Sequence, residues 1–349
     1  MKKLRILSFN VRMDTYDVDG HKGGTGELNR QSKNRVRAVA EQILSFQPDI
    51  VGLQEDVNNW VNNISLGEGY TRYIPDTVHK AHTMEYCSVY IKNGIKVKHH
   101  GWNWLTSDGT NSTVALTYDG LISDGKMTSD ELAALGHYEG TGLKKNGMPS
   151  PNSYSLASRL MNYVVLDIDG EDIIYVNTHL QHRGHNNGNY ESKTDVEKLL
   201  FRLRFFERCA QMQMLQRLVG ELMVEYGTDK VIMTADFNDA PNGLDYGTGW
   251  KNFYSTVTDS GWNDSGLIAK KTVVSDTWNS AFRVETQGQD YQAIDGNSGN
   301  GDRIDFCFVS DALKDKVAEY RVGDYEYTTS DGVHVYPSDH LPIITDLVI

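Results

Sequence analysis

The opening of the chain alternates strand and helix patterns, and this order is its strongest constraint on the fold. Residues 4–11 form an apolar run of strand-forming side chains. Residues 30–46 then carry apolar side chains at helical spacing, and Pro48 ends that segment before a second apolar run at residues 50–55. Such an order is typical of α/β architecture. Further apolar runs predict strands at residues 87–92, 160–168, 172–180, 230–237, 304–309 and 343–348.

One long helix and two polar segments complete the pattern. Residues 195–225 carry Leu, Phe, Met and Arg at helical spacing, which predicts the helix. Residues 103–157 and 242–302 are rich in Gly, Asn and Ser, and in the first of them only residues 128–135 have a helical pattern. No repeat or linker divides the chain. We therefore predict a single α/β domain spanning residues 1–349, with long loop insertions near these two segments.

Composition limits the class of protein. Hydrophobic residues make up 39% of the 349 residues, which is enough to bury a sizeable core. No stretch approaches the ~18 apolar residues of a membrane span. The formal net charge of −13 disfavours a nucleic acid partner held mainly by phosphate neutralisation. A local basic cleft or a bound metal ion could still supply the positive charge that a phosphate needs.

Signals of the compartment are few. The basic start of the chain lacks the apolar stretch of a secretory signal. The three cysteines lie in apolar runs without metal-ligand spacing and are predicted to be buried reduced thiols: Cys87, Cys209 and Cys307. These features favour the cytoplasm, and a trimmed secreted protein would look the same.

Polar side chains stand at the ends of the apolar runs. Asn10 closes the first predicted strand and Glu55 closes the second. Later runs close at His179 and at Asp236 with Asn238, while Asp305 stands at the start of a run and His340 precedes the last one. In α/β sheets, ligands bind outside strand ends, where loops converge. Each residue alone has an ordinary structural explanation, such as a turn, but seven such positions in one chain favour a shared site.

Six short sequence blocks contain these positions and follow one another along the chain. They are Ser8-Phe9-Asn10, Gln54-Glu55, Asn177-Thr178-His179-Leu180, Ala235-Asp236-Phe237-Asn238, Arg303-Ile304-Asp305-Phe306 and Ser338-Asp339-His340. The ordered set resembles the signature of the endonuclease/exonuclease/phosphatase superfamily, which includes pancreatic deoxyribonuclease and bacterial sphingomyelinases. The resemblance runs from residue 4 to the C-terminus, interrupted by the two polar segments. It implies a four-layer α/β/β/α sandwich of two mixed β-sheets with outer helices.

The resemblance also implies metal-dependent hydrolysis of a phosphoester. Glu55 would hold Mg²⁺ or Mn²⁺ with help from Asn10, and Asp339 is a further candidate ligand. Asp236 would orient or deprotonate the attacking water. Asn238 would donate a hydrogen bond to a phosphate oxygen.

Two histidines would flank the phosphate, each with a carboxylate that fixes its tautomer and favours its cationic form. Asp305 is the implied partner of His340. For His179 the candidate partner is Glu85, in a Glu-Tyr block ahead of a predicted strand.

Two further residues are candidates for contact with the phosphate. Arg159 resembles an arginine that approaches the phosphate in several relatives, and a solvated strand-end cation is the alternative. His182 matches a second histidine of bacterial members, which usually have Asp where this chain has Gln181. Residues 239–241, starting at Asp239, are expected to form a turn without chemistry of its own.

The sequence leaves three functions open. The first is hydrolysis of a small or lipid-linked phosphodiester or phosphomonoester. The second is a metal-dependent nuclease acting on DNA or RNA, which predicts a basic cleft near Arg12, Arg159 and Arg183. The third is a binding protein that keeps the fold without catalysis, which the complete set of polar residues opposes.

Aromatic clusters raise the separate question of membrane docking. Trp102, Trp104 and residues 250–254 are candidates for an exposed aromatic hairpin. Packing inside the protein is the favoured alternative for these side chains. Oligomeric state is not indicated by any pattern in the chain.

Overall fold

The computed structural model of the protein describes residues 2–12, 32–56, 64–75, 86–105, 118–135, 159–182, 193–241, 249, 253–273, 277–279, 301–324, 327–335 and 337–349. Among the helices in these ranges, none is both long and apolar enough to cross a membrane. The three cysteines are buried free thiols, as predicted.

These ranges contain seventeen strands, six α-helices and one 3-10 helix, Asp311–Lys316. The strands, numbered along the chain, are β1 (Lys3–Asn10), β2 (Ile50–Gln54), β3 (Tyr70–Tyr73), β4 (Val89–Lys92), β5 (Lys96–Trp104), β6 (Leu160–Ile168), β7 (Glu171–His179), β8 (Val231–Asp236), β9 (Asn263–Asp264), β10 (Lys271–Val273), β11 (Trp278–Asn279), β12 (Gly301–Asp302), β13 (Asp305–Val309), β14 (Val317–Val322), β15 (Tyr327–Thr328), β16 (His334–Val335) and β17 (Ile343–Val348). The α-helices are α1 (Ser32–Ser45), α2 (Tyr118–Ser123), α3 (Ser129–Leu135), α4 (Asp195–Tyr226), α5 (Phe253–Asp259) and α6 (Ser265–Ile268).

Most strands belong to two mixed sheets. The first has seven strands in the order β10-β14-β17-β1-β2-β4-β3, and the second has six in the order β5-β6-β7-β8-β13-β9. In the first sheet, β1 is parallel to β2 and antiparallel to β17. In the second, β7 is parallel to β8 and antiparallel to β6. The small strands β11 with β12, and β15 with β16, form two-stranded ribbons.

Alternation of apolar side chains along the strands stacks these elements into layers. On β1, Leu4 and Ile6 lie in the core between the two sheets, whereas Leu7 and Phe9 pack with α1. The strands of the second sheet alternate in the same way between the shared core and a separate core beneath α4. Successive side chains of a strand face opposite sides, so each sheet needs a cover on both faces. The order helix, sheet, sheet, helix confirms the predicted four-layer sandwich.

The long helix α4 has clear signals at both ends. Thr194 and Glu197 form a capping box at its start, in which each side chain bonds the other residue's backbone N–H. The helix ends at Gly227, whose left-handed backbone (φ 64°) turns the chain toward β8. Its N-terminal half is covered on a second side by α2 and α3, which pack on it through an additional apolar cluster.

Parts of the two segments predicted as long loops are regular structure. In the first segment, α3 matches the helical pattern predicted at residues 128–135, whereas α2 was not predicted. These two helices bury Leu132 and Leu121 against α4. In the second segment, α5 was not predicted either, and it buries Phe253 and Val257 in the core beneath α4. Both α2 and α5 are short, and too few apolar residues recur in them to make a visible period. The remaining residues of both segments lie mostly outside the described ranges.

A polar layer lies between the sheets toward the carboxyl ends of β1, β2, β7 and β8. Gln54 Nε2 donates to Ser8 Oγ (3.0 Å) and to Asn177 Oδ1 (2.6 Å). Asn177 Nδ2 donates to the Leu53 carbonyl (2.8 Å), and Thr234 Oγ1 donates to Asn177 Oδ1 (3.2 Å). The side chains of Ser8, Gln54, Asn177 and Thr234, termed the polar layer below, thus join both sheets by hydrogen bonds beneath the strand ends.

The close approach of the sheets at Gly52 leads to a stability prediction. A Cβ added at Gly52 would lie 2.2 Å from the Tyr175 hydroxyl oxygen and 2.7 Å from Asn177 Oδ1. We predict that Gly52→Ala lowers the free energy of unfolding by about 1–3 kcal/mol, measured by urea denaturation.

Gly220→Ala on α4 is the matched control, because no heavy atom lies within 4 Å of the added Cβ. It is expected to raise stability by up to about 1 kcal/mol, since Ala favours helix. Equal effects of the two substitutions would contradict the tight contact at Gly52.

Candidate active site

The second sheet places three of the predicted residues side by side. His179, Asp236 and Asp305 lie on neighbouring strands β7, β8 and β13, and the register pairs Asp236 with each of the other two. Residues in register lie on the same face of a sheet, and here that face is turned to the first sheet. These three residues, the central row, are therefore positioned by strand pairing and not by loop conformation.

The first sheet supplies the side chains that face the central row. Asn10 ends β1, and Glu55 follows the last residue of β2. Asn10 Nδ2 donates to Glu55 Oε1 (3.2 Å) and to Asp236 Oδ2 (2.9 Å), so one amide bridges a carboxylate of each sheet. His340, in the segment before β17, approaches the same aspartate.

Asp236 lies at the centre of the cluster. Its Oδ2 is 2.9 Å from Asn10 Nδ2, 3.3 Å from His179 Nε2 and 3.8 Å from His340 Nε2. Its Oδ1 accepts a hydrogen bond from the Asn238 backbone N–H (2.8 Å). The residue is only 1% exposed, so protein donors surround this carboxylate in place of bulk water.

Three motifs next to the strands are closed by the same kind of local hydrogen bond, in which a short polar side chain accepts from the backbone N–H two residues ahead. The bonds run from the Arg12 N–H to Asn10 Oδ1 (2.9 Å), from the Asn238 N–H to Asp236 Oδ1 (2.8 Å), and from the His340 N–H to Ser338 Oγ (3.1 Å). Such bonds turn the chain sharply after a strand. They bring polar residues two positions apart into one site.

Backbone strain is concentrated at this rim. Six non-glycine residues of the described ranges have positive φ, and four of them stand at the strand ends around the cluster: Arg12 (53°), Glu55 (58°), Cys87 (46°) and Asn238 (54°). Left-handed backbone at such residues costs of order 1 kcal/mol or more, and it persists only where the surroundings hold it. The cost is consistent with a site whose geometry is fixed for function.

His340 and Asp305 form a buried ion pair behind Asp236. His340 Nδ1 lies 2.9 Å from Asp305 Oδ2, so the expected partner is in contact. Burial acts to lower the pKa of His340, but the charges of Asp305 and Asp236 raise it to about 10. Burial raises the pKa of Asp305 to about 6, against the opposing effect of His340. At neutral pH the pair is charged, and His340 Nε2 is a donor directed at Asp236.

His179 is oriented by Asn238. The Asn238 amide donates to the Leu180 carbonyl (3.1 Å), which turns its nitrogen toward His179 Nε2 at 2.8 Å. In this arrangement Nε2 accepts from Asn238, and the proton of a neutral ring lies on Nδ1. A cationic His179 would donate from Nε2 to Asp236 instead. Glu85, the predicted partner of this histidine, lies outside the described residues.

The oxygen donors beside Asn10 fit a hard divalent cation. Glu55 Oε1 and Asp236 Oδ2 both approach Asn10 Nδ2, at 3.2 and 2.9 Å, so two carboxylates face each other across one neutral amide. A cation with oxygen ligands would offset their repulsion. Asn10 Oδ1 here accepts from the Arg12 N–H, so the amide would have to rotate to offer its oxygen to a metal.

A second arrangement of potential ligands is less suitable for a metal. Ligand atoms of Asp236, Asp305 and His340 lie within 4.8 Å of one another. A histidine binds metal through a neutral ring nitrogen, however, and His340 is cationic beside its two carboxylates. The geometry therefore favours the Glu55 side of Asp236 for the ion. Asp339 is half-buried next to His340 and adds negative charge there.

Arg159 directly precedes β6, and His182 follows shortly after β7, near the strand ends that carry the central row. Both are partly buried. Burial raises the pKa of Glu207 on α4, while the charges of Arg204, Arg208 and Arg159 oppose the rise, so Arg159 lies within electrostatic reach of that helix. His182 follows Gln181, which stands where relatives usually have Asp. The Gln181 backbone N–H donates to Gln211 Oε1 (2.9 Å) on α4.

Two buried arginines that hold the strand-end segments were missed in the sequence. Arg208 of α4 lies 3.2 Å from Asp239 Oδ2 and 3.5 Å from the Gln181 carbonyl oxygen. It thus ties the segment after Asn238 to the segment after His179, and Asp239 is an anchor instead of a plain turn residue.

On the other side of the molecule, Arg35 of α1 donates to the Val11 carbonyl (2.7 Å) and the Pro337 carbonyl (3.2 Å). It ties the segment after β1 to the one before His340. Both guanidinium groups are fully buried. An arginine on the apolar face of a helix pattern was the signal that could have identified them.

Thr277 is another residue that the sequence did not reveal. Its hydroxyl oxygen accepts from the backbone N–H groups of Ile304 and Asp305, each at 3.0 Å. It is fully buried and comes from the segment predicted as a long loop insertion. It therefore helps to hold Asp305 at the start of β13.

Comparisons with known proteins cover the whole chain. A family model described as the endonuclease/exonuclease/phosphatase family matches residues 7–340, which confirms the predicted resemblance. A search of curated proteins finds no significant match.

Several solved structures share the fold at low sequence identity. One is an endonuclease/exonuclease/phosphatase from Bacteroides vulgatus, with 17% identity, 100% of each chain covered and a TM-score of 0.61. The Bacteroides thetaiotaomicron mannosyl-6-phosphatase Bt3783 has 18% identity over 99% of this chain and 100% of its own, with a TM-score of 0.59. Truncated Caenorhabditis elegans TDP2 has 18% identity over 99% of this chain and 98% of its own, with a TM-score of 0.55.

The ion pair behind Asp236 gives a prediction about protonation. Asp305→Asn keeps the shape of the side chain but removes the charge that opposes the effect of burial on His340. We predict that the pKa of His340 falls from about 10 toward or below the ordinary value of about 6.5. Histidine-selective NMR titration of the metal-free protein measures the change.

Asp167→Asn is the control, because it makes the same chemical change in an exposed pair with Lys96. It should leave the pKa of His340 where it is. An unchanged pKa in Asp305→Asn would show that Asp305 does not hold the imidazolium charge.

Proposed function

The chain belongs to the endonuclease/exonuclease/phosphatase family, and from this we propose that it is a metal-dependent hydrolase of a small or lipid-linked phosphoester. Members of the family are typically metal-dependent phosphoesterases. The observation that carries the proposal is the convergence of Asn10, His179 and His340 on one oxygen of Asp236. Hydrolysis of a phosphoester needs a group that positions water and positive charge where negative charge develops, and this cluster contains both.

Asp236 is the residue that orients or deprotonates the attacking water. Its Oδ1 accepts from the Asn238 backbone N–H, and its Oδ2 is the oxygen on which Asn10, His179 and His340 converge. His340 Nε2 lies 3.8 Å from Oδ2, and an ionised carboxylate is the form that accepts a proton from water. Asp305 acts through His340, by holding its ring and charge in place.

Asn238 and His179 are the donors for the phosphate oxygens. Both hydrogens of the Asn238 amide are directed at His179 Nε2 and the Leu180 carbonyl. A phosphate oxygen takes the place of His179 Nε2 as acceptor from Asn238. His179 Nε2, freed from Asn238, takes up a proton from water or from the incoming phosphate and then donates to the same phosphate. One exchange of hydrogen bonds, with this proton uptake, therefore turns both groups from each other to the substrate.

Glu55, with Asn10 and Asp339, would hold Mg²⁺ or Mn²⁺. Bound there, the ion would supply Lewis acidity and offset the charge of the phosphate. The chain's own net charge of −13 supports a small phosphoester over nucleic acid, because a long phosphate backbone would be repelled away from the metal.

A substrate screen tests the proposal directly. The protein is incubated with Mg²⁺ or Mn²⁺ and a generic phosphodiester, several phosphomonoesters, sphingomyelin or plasmid DNA. We expect turnover of at least one small or lipid-linked ester, and its loss when the metal is chelated. Cleavage of DNA alone would favour the nuclease, and no metal-dependent turnover of any compound would overturn the hydrolase proposal.

The role of His340 gives a quantitative prediction. His340→Ala should lower kcat by roughly a hundredfold or more, because it removes a fixed positive charge and donor from the centre of the site. His99→Ala, at an exposed histidine of β5, serves as the control and should keep near wild-type activity. Thermal unfolding of both variants separates loss of chemistry from loss of fold. Full activity of His340→Ala would remove this residue from the mechanism.

A further inference from the structure

The central row continues beyond His179 toward the edge of the second sheet. On the β6 side, Met161 pairs with Thr178, which sets Leu160 beside His179. Leu160 in turn pairs with Trp104 of the edge strand β5. One line across five strands therefore reads Trp104, Leu160, His179, Asp236 and Asp305.

Trp104 and Trp102 lie on the same face of the sheet as His179. Trp102 pairs with Asn162, and the Asn162 amide donates to the Cys87 carbonyl (3.1 Å) of the first sheet. This contact shows that Asn162 faces the space between the two sheets, and Trp102, which pairs with it, lies on the same face. Both tryptophans, two residues apart on one strand, pack there against a small cluster that contains Tyr86 and Leu160. These contacts match the alternative favoured from the sequence, which is packing inside the protein.

The line changes in character along its length. The end of the line with Asp236 and Asp305 is charged and forms hydrogen bonds, whereas the end with Leu160 and Trp104 is apolar. Adjacent strands are about 4.8 Å apart, which places Trp104 roughly 10 Å from His179 along the sheet. A phosphate held by His179 would thus have its organic group directed along the apolar end, or away from it into solvent.

The tryptophan rings are suited to receive that group. Both residues are partly exposed, while Leu160 between them and His179 is only 1% exposed. The two rings are 5.3 Å apart and perpendicular, at 88°. Trp104 is therefore braced by its neighbour and keeps part of its surface open. A rigid indole binds the flat face of another ring at little cost in conformational entropy.

We infer that Trp104, braced by Trp102, is a subsite for a ring in the organic group of the phosphoester, such as a sugar or a nucleobase. The inference rests on the proposed function, because it takes the phosphate position from the residues around Asp236. It narrows the substrate from any small or lipid-linked ester to one with a ring close to the phosphate. A sugar and a base share the chemistry that the indole recognises, which is a flat or apolar ring face.

Binding of two non-hydrolysable probes tests the subsite without turnover. Calorimetry in Mg²⁺ measures the Kd of phenylphosphonate, which carries a ring, and of methylphosphonate, which does not. We expect wild type to bind phenylphosphonate about tenfold more tightly. Trp104→Leu should abolish this preference and leave the affinity for methylphosphonate within about twofold, while Trp104→Phe should retain most of it.

Trp262→Leu is the matched control, because it makes the same change at a partly buried tryptophan next to β9, away from the central row. It should keep the preference for phenylphosphonate. Thermal unfolding shows whether each variant is folded, and Trp104→Phe keeps the test decisive if Trp104→Leu is unstable.

Wild-type protein that binds both phosphonates equally, or neither, overturns the ring subsite, and so does a preference that survives in Trp104→Leu. The proposed hydrolase activity is tested separately, by turnover in the substrate screen. Competition by a hexose 6-phosphate and by a nucleoside 5′-monophosphate then distinguishes the two sources of the ring. Whichever displaces phenylphosphonate more strongly should lose that advantage in Trp104→Leu.

Discussion

The hydrogen bonds of the Asn10 amide to Glu55 and Asp236 join the two sheets at their functional end. Without the amide, two carboxylates from different sheets would face each other across a cleft where bulk water is largely excluded. The amide can span them because the polar layer beneath it sets the distance between the sheets, with Gln54 and Asn177 bonded across the gap at 2.6 Å. His179 and Asp305 lie on the same sheet as Asp236, so their positions do not depend on the distance between the sheets. The contact of Asn10 with Asp236 does depend on it, because Asn10 belongs to the other sheet.

Buried polar groups are costly unless they are bonded, and this protein uses them where they fix a position. The polar layer holds the sheets, while Arg35 and Arg208 hold two pairs of strand-end segments from opposite sides. Each outer helix thus does more than cover a sheet. The left-handed backbone at Glu55 and Asn238 is tolerated within this framework, because the surrounding hydrogen bonds leave these segments little freedom to relax.

Strand periodicity and the residues that end the strands could be predicted, because both are local properties of the sequence. The predicted strands at residues 160–168 and 343–348 coincide with β6 and β17. The edge strand β5 was missed, since most of its residues are polar or exposed and show no clear alternation. The contacts of Arg208 and Thr277 could not be predicted, because they depend on which segments meet in three dimensions. The same holds for the hydrogen bond between Asn238 and His179, which depends on the arrangement of the side chains.

The residues that we propose to carry the chemistry lie on paired strands, and this separates two tasks within one molecule. The spacing of His179, Asp236 and Asp305 is set by backbone pairing in the middle of a sheet and not by the conformation of the surrounding segments. Within the described part of the chain, the edge strand that carries Trp104 pairs with β6 alone, so its side chains contribute less to the pairing of the central strands. Such a scaffold can acquire a new substrate by altering its periphery while it inherits the bond-breaking chemistry unchanged. In evolutionary terms, the fold is conservative at its centre and adaptable at its margin.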